Sequence, residues 1–282
     1  MTAQEALRWA VATLTGAGIK EPRLDGEVLL AHTLGLTRAQ LYARLDWQLN
    51  PEDGRRYEAL IARRAEHEPL AYIVGHREFY GLDFLVDRRV LIPRPETELL
   101  VERAIEMARA RSLNLMADVG TGCGAIAVSL AIHLPGATLY ALDASPDALA
   151  VAEANCRRHG VKGRVHLLCG DLLLPLPRPV DLIVANLPYV RRGELSSLPR
   201  DIRDYEPLAA LDGGEDGLEA IRRLLAQARG YLRPRGAILL EIGATQGAAV
   251  AGLASQCFPT TRVNVIQDYA GLDRVVVIEA SS

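Results

Sequence analysis

The chain has 282 residues, 49% of them hydrophobic, with a formal net charge of −3, so it can build one large or two modest domains but offers no broad basic surface for nucleic acid. Its four cysteines, Cys123, Cys156, Cys169 and Cys257, are scattered without a Cys-x-x-Cys pair, which argues against zinc and disulfides and fits a reducing compartment. No apolar run approaches the ~20 residues of a membrane span, and Met1 to Glu5 lacks a basic flank and an apolar signal core. A cytoplasmic protein is expected.

Residues 1–70 read as a small helical bundle. Leu7, Ala10, Val11 and Leu14 recur at helical spacing until Gly16 and Gly18 end the run. A second helix starts near Pro22, with Leu24, Val28, Ala31 and Leu34 as its expected inward stripe. Thr37 and Gln40 form a capping box for a third. Asn50, Pro51 and Asp53 open a fourth, with Tyr57, Leu60 and Ile61 inward. Trp9 and Trp47 suit packing at the core or its edge. Charges in this part nearly balance, which favours a docking module over an electrostatic arm.

Pro69 stops the fourth helix. Ala71 to Gly75 and Glu78 to Val86 read as strands, with Gly81 at a turn, so residues 71–92 are expected to form a β-hairpin linker. Phe79 and Phe84 suit its apolar face. In Leu91 to Glu98 the two prolines at 93 and 95 stiffen the chain around Arg94, and Pro95-Glu96 can open a helix through about Arg111. Arg94 reads as a surface charge by default and as a fixed guanidinium at a site entrance in the sharper reading.

From about residue 113 strand and helix alternate. Strands are expected at 113–118, 137–143, 165–171, 181–185 and 237–243, with helices at 120–134, 145–159, 217–232 and 244–256 between or after them. Two final strands, 261–267 and 274–280, have no helix between them. The alternation predicts a mostly parallel, doubly wound sheet with one antiparallel member at its edge. Residues 190–216 form a long connection carrying Arg191, Arg192, Arg200 and Arg203, which reads either as a wall of a substrate groove or as a solvated insertion.

Three acids fall at carboxyl ends of adjacent strands, where open α/β sheets bind ligands. Asp118 precedes the turn Gly120-Thr121-Gly122-Cys123-Gly124, Asp143 follows about 20 residues on where an acid can bind ribose hydroxyls, and Asp171 could meet an adenine amine. The glycines alone also fit a dinucleotide site. Asp118 favours a cationic amino-acid end over a pyrophosphate. Cys123 has no neighbouring base in the sequence and reads as a small loop residue.

The apolar run Asp181 to Ala185 ends in Asn186-Leu187-Pro188-Tyr189. The Asn186 amide oxygen and the Leu187 carbonyl are two acceptors, the latter in extended geometry before a proline, and Tyr189 is a flat wall. Together they suit a planar substrate bearing an NH2. The plainer reading is a strand followed by a loop proline.

These features resemble class I methyltransferases that modify planar nitrogens. More specifically, the chain resembles the HemK/PrmC family of release factor glutamine methyltransferases over nearly its whole length. The markers are Ala71 to Gly75, Leu91 to Glu98, Asp118 to Ala125, Tyr205-Glu206-Pro207, Gly213-Gly214, Glu241-Ile242-Gly243 with Gln246, and Gly271 to Arg274. The resemblance implies a Rossmann-like class I methyltransferase domain over 93–282, a helical substrate-docking domain over 1–70, and transfer from S-adenosylmethionine, leaving S-adenosylhomocysteine. Its substrate would be the glutamine of the Gly-Gly-Gln motif in peptide chain release factors, and a monomer without metal, membrane or direct nucleic-acid contact is expected. It also implies that Asp118, Gly120, Thr121, Gly122, Cys123, Gly124, Asp143, Asp171, Leu172 and Asn186 hold the cofactor. Asn186, Leu187, Pro188 and Tyr189 would carry substrate and catalysis, with Arg94 at the substrate. Position 187 departs from the family's usual Asn-Pro-Pro-Tyr. Asn-Leu-Pro-Tyr resembles the ribosomal RNA adenine dimethyltransferases, which would lack the Leu91–Glu98 stretch, and a sibling class acting on a ribosomal protein glutamine shares the tip.

Overall fold

The computed structural model describes residues 1–280. They divide into two compact units, Met1–His76 with Pro199–Tyr205, and Arg77–Leu198 with the chain from Glu206 on.

The first unit is helical: α1 (Ala3–Gly16), α2 (Pro22–Leu34), α3 (Arg38–Tyr42), α4 (Pro51–Ala65) and α5 (Leu70–Val74). The expected caps form. Thr37 and Gln40 close a capping box, and the Asn50 side chain accepts from the Asp53 N–H. Leu7, Ala10, Leu14, Leu29, Leu30, Tyr57 and Ile61 make the core. Helix α2 turns a different face inward from the one its leucine spacing suggests. Leu24, Val28 and Leu34 stay half-exposed, while Asp25 and Glu27 are buried. Both acids are paired, Asp25 with Arg64 and Glu27 with Arg23 and Arg38, which is what permits their burial. Residues Ala71 to Val74, expected as a strand, are helical. Pro69 starts this turn, burial of Ala71, Tyr72 and Ile73 holds it, and Gly75 at φ 82° ends it. Tertiary burial here overrides the strand preference of the aromatic and β-branched residues. The Tyr205 hydroxyl donates to the Glu66 carbonyl, tying Pro199–Tyr205 into this unit.

A hairpin, β1 (His76–Phe79) and β2 (Leu82–Leu85), leads into the second unit. Its two turn residues, Tyr80 and Gly81, both have positive φ, as a twisted two-residue turn requires. Then follow α6 (Thr97–Arg111), β3 (Leu115–Val119), α7 (Ala125–His133), β4 (Thr138–Asp143), α8 (Pro146–Arg158), β5 (Val165–Cys169) and β6 (Val180–Ala185). After the short α9 (Arg200–Arg203) come α10 (Glu219–Tyr231), β7 (Leu232–Glu241), α11 (Gly247–Cys257), β8 (Arg262–Gln267) and β9 (Asp273–Glu279).

The sheet order is β5-β4-β3-β6-β7-β9-β8. Only β9 runs against the direction of the other strands of this sheet, and it lies one strand in from the edge because β8 pairs outside it. The order reverses between β3 and β6, so the crevice at their carboxyl ends is the switch point of the sheet. Each of the five residues of β3, and all but Asp181 of β6, is buried, as expected for strands covered by helices on both faces. Asn155 on α8 is fully buried and ties three segments together. Its Nδ2 donates to the carbonyls of Leu85 and Cys123, and its Oδ1 accepts from the Leu85 N–H.

Replacing that amide orphans an N–H and two carbonyls. Asn155→Ala is expected to destabilise the protein by about 1–3 kcal/mol or more, read as a lower urea midpoint, whereas an unchanged midpoint would mean water replaces all three bonds.

Candidate active site

The site is assembled by the parallel pairing of β3 and β6, in which Val119 lies opposite Ala185. The residues that follow, Gly120 and Asn186, therefore emerge side by side at the carboxyl edge. A Cβ on Gly120 would stand 3.2 Å from the Leu187 side chain and 3.6 Å from the Asn186 carbonyl oxygen. Gly120, Gly122 and Gly124 all have positive φ, which lets the turn fold back toward β4 and β6. Gly120 and Thr121 both donate to the Leu142 carbonyl, and Gly122 N–H donates to Asp143 Oδ2. Ser145 N–H takes Asp143 Oδ1, so each oxygen of Asp143 holds one backbone donor and keeps further lone pairs for hydroxyls.

Asp118 is fully buried at the end of β3. Its Oδ2 accepts from the Thr121 hydroxyl at 2.6 Å and from the Ala127 N–H at 3.0 Å, which fixes the turn to the start of α7. Its Oδ1 has no partner among the described residues. Burial pushes this carboxyl up to about 7, the Thr121 and Ala127 bonds pull it down, and the Asp143 charge adds to the rise. A buried oxygen without a donor, beside a glycine turn open enough for close approach, fits a cationic ammonium. Cys123 is buried and its thiol is pushed up to about 12, again chiefly by burial, so it is no thiolate nucleophile.

Asp171 follows β5 with its carboxylate engaged by Arg223 and Gln227 of α10. A ligand amine there would have to share it. Leu172 holds φ 49°, a left-handed conformation uncommon for leucine, and the next N–H, that of Leu173, donates to Gln227. Arg94 pairs with Glu206, whose side chain is buried and which also accepts from the Ile92 N–H. The guanidinium thus clamps the proline stretch onto the long connection, a structural duty that the sequence reading at the substrate did not include.

At the tip, Asn186 Nδ2 donates to the Thr97 hydroxyl oxygen at 3.1 Å. Its Oδ1 and the Leu187 carbonyl accept no hydrogen bond among the described residues. Leu187 itself is buried on the glycine turn. Behind the tip, Gln246 Nε2 donates to the Tyr189 carbonyl at 3.0 Å while its Oε1 accepts from Gly243. Burial pushes the Tyr189 phenol up to about 12, so it stays neutral. Two residues that bond this tip, Thr97 and Gln246, have no functional role assigned from the sequence. Both lie within stretches that carry the family resemblance, Thr97 in Leu91–Glu98 and Gln246 beside Glu241-Ile242-Gly243, and an amide or hydroxyl in such a stretch gives no local sign of which residue it will bond.

Residues 5–75 match the family model described as PrmC N-terminal domain, and residues 95–198 match the methyltransferase small domain. The release factor glutamine methyltransferase of Moorella thermoacetica is 49% identical over 275 residues, spanning 97% of each chain. That of Geobacter sulfurreducens is 43% identical over 281 residues, spanning 98% of this chain and 95% of the relative. Among solved structures, a methyltransferase from Pyrococcus furiosus is similar with a TM-score of 0.55 at 17% identity, covering 78% of this chain and 99% of that one, a likeness of fold.

Because folding raises the Asp118 pKa, the folded state holds a proton the unfolded chain has released between the ordinary carboxylate range and about 7. Stability is therefore expected to fall as pH rises through that window. Asp118→Asn should flatten the dependence of Tm on pH over pH 5–8 and weaken binding of S-adenosylmethionine; a slope equal to that of the unsubstituted protein would clear Asp118 of the effect.

Proposed function

The chain belongs to the release factor glutamine methyltransferase family, and we propose on that premise that it moves a methyl group from S-adenosylmethionine to the side-chain amide nitrogen of the Gly-Gly-Gln glutamine in peptide chain release factors. The glycine turn, Asp118 and Asp143 would hold the cofactor. Asp118 Oδ1 is the acceptor left for its ammonium, and Asp143 retains lone pairs for ribose hydroxyls. When bound, the cofactor supplies a sulfonium-activated methyl group and a thioether leaving group, S-adenosylhomocysteine.

The chain's own work is to place a weak nucleophile. A carboxamide nitrogen has its lone pair drawn into its carbonyl, and no base acting near neutrality helps by removing its proton. Asn186 Oδ1 and the Leu187 carbonyl would each accept one of the two amide hydrogens, and Tyr189 would cover the amide plane. So held, the nitrogen points along the line of attack. It gains a bond to carbon as carbon leaves sulfur, and the surplus proton passes to solvent. Orientation of this order can be worth up to ~7–11 kcal/mol. Two acceptors aimed at a nitrogen that gains positive charge also bind the transition state better than the ground state.

The observation that carries this reading is the polarity of Asn186. Its NH2 donates one hydrogen to Thr97, which turns that end of the amide toward α6 and leaves the oxygen without a donor among the described residues, the end available to a substrate N–H. Labelled S-adenosylmethionine offered with release factor, ribosomal protein or ribosomal RNA should mark the release factor glutamine, while label in RNA alone would replace this reading with adenine methylation. Asn186→Ala is expected to cut kcat by roughly 10²-fold or more with a much smaller loss of cofactor affinity by calorimetry; unchanged turnover would remove Asn186 from the mechanism.

A further inference from the structure

The turn between β8 and β9, residues 268–272, stands at the carboxyl rim of the sheet. Strand β9 runs antiparallel to β7, with Val275 opposite Glu241, so the start of β9 and the end of β8 lie where β7 ends. The Ile242 N–H donates to the Arg274 carbonyl at 3.0 Å, which ties the base of the turn to the strand beside β6. One carboxylate holds the turn itself. Asp268 Oδ1 accepts from the Ala270 and Leu272 N–H groups at 2.9 and 3.1 Å, and its Oδ2 accepts from the Arg274 guanidinium. The Asp268 N–H donates in turn to the Leu272 carbonyl at 2.8 Å, and Gly271 takes φ 77°. Asp273 accepts from the Gln267 amide. Charge is thus spent within the hairpin, and the large side chains that the turn shows to water are Tyr269, 99% exposed, and Leu272, 48% exposed.

We propose that this turn is a docking contact for the body of the folded release factor, with the Tyr269 ring as its anchor. The inference rests on the glutamine reading above. A glutamine carried on a folded protein reaches Asn186 only if the surface around that glutamine comes down on the rim. Strands β9 and β8 are second and third from β6, and neighbouring strands lie about 4.8 Å apart, which sets the turn roughly 10–15 Å along the rim from the tip. A protein–protein contact of ordinary size covers about 800 Å² on each partner, a patch that reaches roughly 16 Å from its centre. The turn falls inside that footprint.

An exposed apolar residue standing alone is ordinary on a protein surface. Tyr269 differs in what surrounds it. Its side chain buries nothing against its own chain, so it contributes no packing to the fold. Reversing a chain calls for glycine and short polar residues, not for the bulk of a tyrosine. The backbone beneath the ring is already fixed by the Asp268 bonds, so a partner that packs on it has little left to order. Tyrosine, with two side-chain torsions and a large flat face, is among the residues on which binding energy concentrates.

The test measures kcat and KM with intact release factor and with a capped Gly-Gly-Gln tripeptide, in the unsubstituted enzyme, Tyr269→Ala and Tyr269→Phe, with Tm and S-adenosylmethionine affinity on each. Two glycines extend at most about 7 Å from the glutamine, so the tripeptide is too short to reach the turn. Tyr269→Ala should raise KM for release factor about tenfold, as loss of a binding hot spot does, with kcat held within about twofold. Turnover of the tripeptide, cofactor affinity and Tm should stay where they were. Tyr269→Phe should keep most of the affinity, because the ring makes the contact. An unchanged KM for release factor in Tyr269→Ala, a fall in kcat in its place, or an equal loss on the tripeptide overturns the inference alone. Where the tripeptide turns over too slowly to measure, the split between KM and kcat on the intact protein decides. An unsubstituted enzyme that leaves release factor unmethylated overturns the glutamine reading and this inference with it.

Discussion

One pairing sets the geometry on which the rest depends: Val119 of β3 beside Ala185 of β6, in parallel register. Parallel strands end together, so the two segments that leave them must share one crevice. One segment turns on three glycines and the other stiffens through Pro188. Leu187 fills the contact between them, lying 3.2 Å from where a Gly120 side chain would begin. A larger residue at 120 would push the acceptors of the tip away from the turn that holds the cofactor. The Leu187 side chain supplies an apolar contact with the turn.

Two buried acids stand at carboxyl ends of strands around the crevice, Asp118 on β3 and Glu241 on β7. Each leaves one oxygen without a protein donor, and burial drives each toward neutral pKa values. Elsewhere the chain treats buried acids differently. Asp25 and Glu27 of the helical unit are matched with arginines. Among the acids of the described residues, only these two, at the rim of the sheet where ligands bind, hold a buried side-chain oxygen without a partner.

The backbone of the tip is gripped from behind. A Cβ on Gly213 would come within 2.8 Å of the Pro188 carbonyl oxygen and of Tyr189 Cα, and one on Gly217 within 2.5 Å of the Tyr189 carbonyl oxygen, while Gln246 bonds that same carbonyl. The long connection after the tip is therefore no loose insertion at this point. Its glycines let the chain pass close enough to hold Tyr189 in place, and Arg94 secures another part of it through Glu206.

Much of this was legible in the one-dimensional chain. Alternating strands and helices, the capping residues at Thr37 and Asn50, the glycine turn and the Asn186–Tyr189 tip are local patterns, and local physics writes them into short windows of sequence. What local windows cannot hold is partnership. That Asp25 and Glu27 of α2 go inward follows from arginines 39 and 11 residues away, and Ala71 to Val74 become helical because their burial outweighs their propensity. Arg94 is bound to an acid 112 residues on, and Thr97 meets Asn186 across 89 residues. The sequence by itself determined the chemistry available at the strand ends; only the tertiary structure decided which donors each acceptor meets, because hydrogen-bond direction depends on neighbours brought together by the sheet.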